Sequence, residues 1–305
     1  MKFFNKGAAL AAAVMSLCFW SSAATAQNLT GTLQKIKSSG SITIGHRETL
    51  LPFSYYDNNQ KVVGYSEDLC VEVLSAIKSQ LKMDTLDVKM VPVTSASRIP
   101  LLVSGAIDLE CGATTNNADR QKQVAFSVTH FVTSNRFVSK KASRISTLDD
   151  LKGKPVVSVS GTSNIKQLQE LNGQRNLNLN ISAVKDHAEA FLTVETDRAA
   201  AFVMDDVILA AFVSNAKDPG AFAISSTPLS LEPYAFMMRK DDPDFKRVVD
   251  GALSAVYSSG KINSIYAKWF LRPIPPKNNN LNMPMSDALK KVIDKPTDSG
   301  DPAAY

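Results

Sequence analysis

The sequence has few of the side chains that hold metal ions. Its 305 residues include three histidines and three cysteines, and no close Cys/His spacing occurs among them. Zinc sites need such ligands at short, regular separations. The composition therefore argues against a metal centre, and it suggests no cofactor of another kind.

Signatures of hydrolysis, of phosphate binding and of nucleic-acid binding are also missing. The chain has no Gly-x-Ser-x-Gly elbow, the turn on which α/β-hydrolases place their nucleophile. Ser160-Gly161-Thr162 lacks the lysine that would follow in a phosphate-binding loop. The net charge is only +5, with positive and negative residues interspersed, whereas nucleic-acid binding requires a clustered basic surface.

The N-terminus has the pattern of a secretory signal peptide. Lys2 and Lys6 precede an apolar run over residues 8–20, and small residues follow, ending in Ala24-Thr25-Ala26. This pattern predicts a signal peptide over residues 1–26, cleavage after Ala26 and export to the periplasm. No later stretch is long and apolar enough to predict a membrane helix.

Two cysteines, Cys70 and Cys111, follow the predicted signal peptide. An even pair in an oxidising compartment is a disulfide candidate. Two separate buried thiols remain the alternative, because the sequence does not establish that the two Cα atoms lie within bridging distance.

The exported part alternates between strand and helix patterns and predicts an α/β fold with two lobes, each an open sheet flanked by helices. Lobe 1 is expected to cover residues 27–133 and to resume over 235–278, lobe 2 to cover 134–234, and a tail to follow over 279–305. The chain would cross between lobes near Ser134 and near Tyr234, which gives a two-strand hinge. A strand is expected to start at Ala235, Ser66 to cap a helix, and the last residues, 295–305, to be frayed.

The stretch Glu110–Arg120 predicts a carboxylate-binding site. A buried strand would lead through threonines into a helix capped by Asn116 or Asn117, so that helix N–H groups and the Arg120 guanidinium converge. An ordinary strand, turn and helix with an exposed arginine is the alternative.

Polar residues follow several other predicted strands, at the edge where open α/β sheets bind ligands. Each also has a plain structural interpretation, as a surface arginine or a helix-capping residue, and for Asp206 capping is the preferred one. The candidates are Arg47, Ser95, Arg98 and Thr115 in the first unit, and Thr162, Ser163, His187 and Asp205 in the second.

A collinear set of motifs covers nearly the whole exported chain. It consists of Gly45-His46-Arg47, Pro52 to Asp57, Gly64-Tyr65-Ser66, Arg98 to Leu102, Glu110 to Arg120, Ser160-Gly161-Thr162, Lys185-Asp186-His187, Met204-Asp205-Asp206, Lys268-Trp269-Phe270 and Pro273 to Lys277. Together these motifs resemble the glutamate/aspartate-binding members of the polar amino-acid solute-binding proteins (family 3), which serve ABC transporters.

The resemblance implies a type II periplasmic-binding-protein fold and a role for each candidate. Arg120 and Thr115, with the Thr162-Ser163 loop, would hold the α-carboxylate of an acidic amino acid, and Asp205 its ammonium. The side-chain carboxylate would be surrounded by Arg47, Ser95, Arg98 and His187. Ala113 stands where a serine is expected in such relatives. A membrane permease would be the partner of a monomeric binding protein.

An enzyme on the same scaffold is the alternative. Periplasmic cyclohexadienyl dehydratases also bind a carboxylate, and His187 or Glu110 could serve such an enzyme as an acid. The number of cationic candidates favours a ligand with a second carboxylate over a ring. A receptor's sensor lobe is a third possibility, which the lack of a later membrane span disfavours.

Overall fold

The computed structural model describes residues 29–305. The predicted signal peptide and its cleavage after Ala26 lie outside the described residues. From residue 29 onward, every helix is too short or too polar to cross a bilayer.

Ten α-helices are present in the described part of the chain. They are α1 (Gly31–Ser39), α2 (Tyr65–Gln80), α3 (Arg98–Val103), α4 (Ala118–Gln121), α5 (Ser163–Gln174), α6 (His187–Glu195), α7 (Asp206–Ser214), α8 (Pro243–Ser258), α9 (Lys261–Phe270) and α10 (Asp287–Asp294).

Fifteen strands lie between these helices over residues 29–305. They are β1 (Ser41–His46), β2 (Thr49–Leu50), β3 (Ser54–Tyr56), β4 (Val62–Val63), β5 (Asp87–Pro92), β6 (Leu109–Thr115), β7 (Val124–Phe126), β8 (Phe131–Lys140), β9 (Pro155–Val159), β10 (Asn180–Val184), β11 (Ala201–Asp205), β12 (Phe222–Ile224), β13 (Ser230–Arg239), β14 (Pro273–Ile274) and β15 (Asn279–Asn280).

One ten-stranded mixed sheet organises the molecule. Its order is β10-β9-β11-β8-β13-β6-β1-β5, with β12 added beside β8 and β7 beside β13. The strands of each half run parallel to one another, whereas β8 and β13 are antiparallel. The two long strands β8 and β13 therefore lie between the halves, and Tyr234 pairs with Phe131 there. The strand expected from Ala235 in fact begins at Ser230, which makes β13 long enough to reach both halves.

An aromatic cluster packs where these two strands meet the first half. The Phe53 ring lies 4.9 Å from Phe131 of β8, 5.3 Å from Tyr234 of β13 and 6.0 Å from Phe270 of α9, each in an edge-to-face arrangement. Such pairs contribute beyond the area that they bury. The cluster fixes the middle of the sheet against α9, which returns to the first half of the molecule.

The first half is also held by a disulfide and by a hydroxyl on α2. Cys70 of α2 and Cys111 of β6 are joined, with their Cα atoms 5.9 Å apart. The prediction that Ser66 caps α2 is wrong. Gly64 occupies the cap position, and the Ser66 hydroxyl instead donates to the Gly112 carbonyl 2.8 Å away. The hydroxyl is buried beside β6, so it bonds to the carbonyl of that strand and does not cap an N–H group at the start of α2.

The C-terminal segment is ordered, so the expectation of fraying was wrong. The Thr129 amide donates to the Thr297 carbonyl at 2.8 Å, the Lys246 ammonium lies 2.9 Å from the Asp298 carboxylate, and the Tyr305 hydroxyl contacts Thr129 at 2.7 Å. These partners are tertiary, so no local sequence pattern could indicate them.

Candidate functional site

The first half of the site is built around Arg47 and Arg98. Arg47 follows β1, its amide donates to the Ser54 hydroxyl at 2.8 Å, and its guanidinium donates to Ser95 at 3.1 Å. Arg98 begins α3 and donates to the Thr114 hydroxyl at 2.6 Å, with Glu110 4.0 Å away. Because β1 and β6 are neighbours in the sheet, the residues that follow or end them come together as the sequence predicts.

Arg120 lies on the same side of the cleft and reaches across it. Asn117 caps α4 and so presents Arg120 at the end of β6, as one of the two predicted caps. The Arg120 guanidinium donates to the Thr115 carbonyl at 2.8 Å and to the Gly161 carbonyl, on the other half, at 3.1 Å. The two halves are therefore in contact, and the cleft is closed.

The three arginines are buried close to one another. Arg47, Arg98 and Arg120 are 4%, 3% and 8% exposed. Burial, followed by the charge of Arg98, lowers the pKa of Arg47 to about 10 and that of Arg120 to about 9. Buried cations that repel one another are stabilised by an anion. This part of the cleft is suited to carboxylates.

A buried carboxylate of the second half, Asp205, lies within range of the charges of Arg98 and Arg120. Asp205 ends β11 and accepts hydrogen bonds from Asn164 at 2.7 Å and from the Tyr234 hydroxyl. Burial, and then the charge of Glu232, raise its pKa to about 8. A cation beside Asp205 would stabilise its charged form and so lower this pKa, which makes Asp205 suited to an ammonium group.

His187 completes the set from the second half. It begins α6, which is capped by Asp186. Burial, followed by the charges of Arg47 and Arg98, holds its pKa well below the usual range. The ring is therefore neutral at pH 7. Its Nδ1 is buried without a hydrogen-bond partner in the described part of the chain, so it can pair with a ligand.

A cavity of about 590 Å³ opens between the halves, and its walls include Thr115, Arg120, Thr162, Ser163 and Glu232. The Thr162 hydroxyl is committed elsewhere, since it donates to the Val159 carbonyl at 2.7 Å and caps α5. Ser163, the first residue of α5, lies 3.2 Å from the Thr115 hydroxyl across the cleft.

Several groups at the site were not predicted. Glu232 and Tyr234 lie on β13, Thr114 on β6 and Asn164 on α5. Glu110, named above only as an acid for the enzyme alternative, lies 4.0 Å from the Arg98 guanidinium as its ion-pair partner. The sequence offered one indication of Glu232: it is a glutamate in a buried strand near Tyr234, where the chain is expected to cross between the lobes. The preferred role of Asp206 was wrong: its carboxylate accepts from Thr133 at 2.5 Å and from Arg136 at 3.1 Å on β8 instead of capping α7.

Ala113 lies buried on β6, where its methyl group offers no hydrogen bond. Within residues 29–305, no group of three or more His, Cys, Asp or Glu side chains is placed to hold a metal ion.

Comparison with known sequences identifies the family. Residues 42–272 match the profile of the bacterial extracellular solute-binding proteins, family 3. The chain belongs to this family. The expected two-lobed α/β fold of family 3 is thereby confirmed, with a ten-stranded sheet through its middle.

Two curated relatives and one solved structure illustrate the similarity. The chain is 49% identical to an L-glutamate/L-aspartate-binding protein of Pseudomonas aeruginosa, over 90% of this chain and 91% of the relative. It is 47% identical to a glutamate/aspartate import solute-binding protein of Escherichia coli, over 88% of each chain. A substrate-binding protein of an ABC uptake transporter from Streptococcus pneumoniae, with bound histidine, superimposes with a TM-score of 0.71 at 25% identity, over 78% of this chain and 95% of that one.

The two curated relatives are named as binding proteins. That agrees with a family 3 binding protein that is not an enzyme, and it disfavours the dehydratase alternative.

Proposed function

We propose that the protein captures L-glutamate or L-aspartate between its lobes in the periplasm and delivers it to an ABC permease. One observation carries the proposal: three buried guanidinium groups lie within range of one another's charge, and two of them, Arg98 and Arg120, also lie within range of the buried carboxylate Asp205. An acidic amino acid has two carboxylates and one ammonium, which is the complementary set. The names of the two curated relatives support the same ligands.

The main-chain groups of the ligand bind between Arg120 and Asp205. Arg120 presents a planar pair of donors that matches a carboxylate, and Thr115 with the start of α5 at Ser163 supplies further polar groups. Asp205 takes the ammonium. The depressed pKa of Arg120 and the raised pKa of Asp205 both return toward ordinary values when the two ligand charges bind.

The side-chain carboxylate of the ligand lies among Arg47, Ser95, Arg98 and His187. The contact between Arg47 and Ser95 aligns one guanidinium, and that between Arg98 and Thr114 aligns the other. A neutral His187 donates one hydrogen bond without adding a third positive charge.

Closure of the lobes depends on the ligand. Lobe 1 comprises residues 27–133 and 235–278, lobe 2 comprises 134–234, residues 279–305 form a tail, and β8 and β13 are the hinge. Closing the cleft while it is empty buries charged groups without partners, which is unfavourable. Only a ligand that pairs with them in the closed form shifts the equilibrium toward it.

The exported protein begins at Gln27, after cleavage at Ala26, and acts as a monomer that binds no nucleic acid. The intact mass of the periplasmic protein tests the cleavage site, and its elution volume in size-exclusion chromatography tests the monomeric state. A mass that retains residues 1–26, or elution as a dimer, would contradict them.

Isothermal titration of the refolded, ligand-stripped mature protein tests the ligand class. We expect tight binding of L-glutamate and L-aspartate and none of L-glutamine or L-arginine. Preference for L-glutamine would mean that Arg47, Arg98 and His187 do not face the ligand side chain. If none of the four amino acids binds and the protein turns over prephenate or arogenate, the proposal is overturned.

A further inference from the structure

Tyr234 is a buried residue of the hinge strand β13 that has no role in the assignment above. Its main chain pairs with Thr115 of β6 and with Phe131 of β8, so it lies where β13 passes from one half of the molecule to the other. Its ring is fully buried and meets that of Phe53 at 5.3 Å, edge to face. Strand pairing and ring packing therefore fix the phenol against the first half.

The hydroxyl of Tyr234 reaches the second half. It donates to one oxygen of Asp205, and the Asn164 amide donates to the other at 2.7 Å. Burial, followed by the charge of Asp205, holds the pKa of Tyr234 well above its usual range, so the hydroxyl keeps its proton and remains a donor. The carboxylate is thus held from both sides by neutral donors, and each of its oxygens keeps a lone pair for an ammonium.

Asp205 is surrounded by charges of both signs. The charged groups that face it come from four elements: Glu232 on β13, Asp206 on α7, Arg98 on α3 and Arg120 on α4. Burial and then Glu232 raise the pKa of Asp205, and the hydrogen bonds of Tyr234 and Asn164 oppose that rise, Tyr234 more than Asn164. Donors to an ionised carboxylate favour its ionised form. Tyr234 is therefore the stronger of the two neutral groups that keep Asp205 charged.

We propose that Tyr234 is a positioning residue for the ligand ammonium: from the hinge strand it orients the Asp205 carboxylate and favours its ionised form, which is the form that binds an ammonium. This proposal rests on the proposed function, because it concerns the ammonium of the same ligand. Binding of the ammonium releases the proton from any Asp205 that holds one. Affinity for the amino acid therefore rises with pH until Asp205 is ionised in the ligand-free protein.

Titration of wild type and Tyr234→Phe with L-glutamate, from about pH 6 to about pH 9, tests the proposal. Phenylalanine keeps the ring and removes the donor, so the pKa of Asp205 should rise above the value of about 8 that it has in the wild type. We expect the affinity of the variant to be about tenfold lower at the acid end, the scale of one hydrogen bond to a charged group. At the alkaline end, where Asp205 is ionised in most molecules of both proteins, the deficit should shrink to less than about threefold.

Tyr257→Phe is the matched control. Tyr257 is also a buried tyrosine, its hydroxyl donates to the Thr129 carbonyl at 2.9 Å, and it is not among the residues that line the cavity. This variant should keep wild-type affinity at every pH. The melting temperature of the ligand-free variants shows whether they are folded. A deficit of Tyr234→Phe that is the same at every pH, or no deficit, would overturn the role of Tyr234 and leave the proposed function standing.

A measurement without ligand separates this proposal from the proposed function. NMR of the Asp205 carboxyl carbon, assigned with Asp205→Asn, follows the titration of that group in the ligand-free protein. Its pKa should be about one pH unit higher in Tyr234→Phe than in the wild type, which corresponds to the same factor of ten. An unchanged titration would overturn the role of Tyr234 even if the wild type binds L-glutamate. Failure of the wild type to bind L-glutamate would overturn both proposals.

Discussion

At the residue scale, the site depends on charges that are buried before any ligand arrives. Arg98 is in contact with both Thr114 and Glu110, and its charge is felt at Arg47, Arg120 and His187. Its charge therefore reaches the two other arginines and the histidine that are proposed to surround the ligand.

Arg98→Ala should weaken binding of an acidic amino acid by about 3–5 kcal/mol, because a buried ligand carboxylate then loses its partner. Isothermal titration measures the loss. Arg247→Ala, which removes a guanidinium whose side chain is 68% exposed, should leave affinity unchanged. Unchanged affinity in the Arg98 variant would remove that residue from the site, and the ligand-free melting temperature checks that the variant is folded.

His130 governs part of the response of stability to acid. It is fully buried with its ring 4.7 Å from that of Phe236, and burial lowers its pKa to about 3. In the unfolded chain the pKa is near 6.5. Below about pH 6.5 the imidazole is therefore protonated in the unfolded state but not in the folded state. The free energy of unfolding falls as the pH drops through this range.

His130→Phe keeps an aromatic ring and removes this titration. Between pH 7 and pH 5 the wild type should lose about 2 kcal/mol more unfolding free energy than the variant. Urea unfolding at the two pH values measures the difference. Equal losses in both proteins would show that other groups carry the acid response.

At the scale of elements, the last nine residues support the helix that carries Arg120. The Asn116 side chain donates to the carbonyls of Asp298 and Ser299 at 2.8 and 3.3 Å. Gly300 packs so closely that an added Cβ would lie 3.0 Å from the Asn117 carbonyl carbon. Asn117 is the cap of α4, so the tail is adjacent to the start of that helix.

Removal of residues 297–305 should therefore weaken ligand binding about tenfold, since hydrogen bonds of roughly 0.5–1.5 kcal/mol each are lost behind Arg120. Titration of the truncated protein measures this effect. Tyr305→Phe, which removes only one hydroxyl, should have a much smaller effect. Wild-type affinity in the truncated protein would show that the tail is passive.

At the scale of the whole molecule, closure brings backbone into contact with backbone. Gly161, two residues before α5 of the second lobe, has φ +78°, and a Cβ there would lie 2.6 Å from the Ala96 Cα across the cleft. Glycine is needed both for this conformation and for this approach.

Gly161→Ala should hold the lobes apart and weaken binding by about 1.4 kcal/mol or more, a factor of ten. Gly153→Ala is a matched control, because Gly153 has φ +72° but no heavy atom within 4 Å of an added Cβ. The control should lose stability and keep its affinity. Titration measures the affinity, and the radius of gyration with and without ligand measures closure of the lobes. If the Gly161 variant becomes as compact with ligand as the wild type, the steric argument is refuted.

Prediction from the sequence succeeded where the determinants are local. The alternation of strand and helix, the cap Asn117 and the placement of Arg47, Arg98 and Asp205 at strand ends follow from periodicity and from a general rule of open α/β sheets. It failed for Ser66, Asp206 and the C-terminal segment. Each of these has a hydrogen-bonding partner distant in the chain, and local propensity contains no information about such partners.

The sequence by itself determined that the chain has an α/β architecture, that cationic side chains follow its strands, and that its motifs resemble an acidic amino-acid receptor. Only the tertiary structure decided the long β13 between the lobes, the contact of Ser163 with Glu232 and the docking of the tail. Residues close in sequence share a local conformation, which pattern can reveal. Glu232 and Ser163 are 69 residues apart, and their contact exists only because the sheet and the closed cleft bring them together.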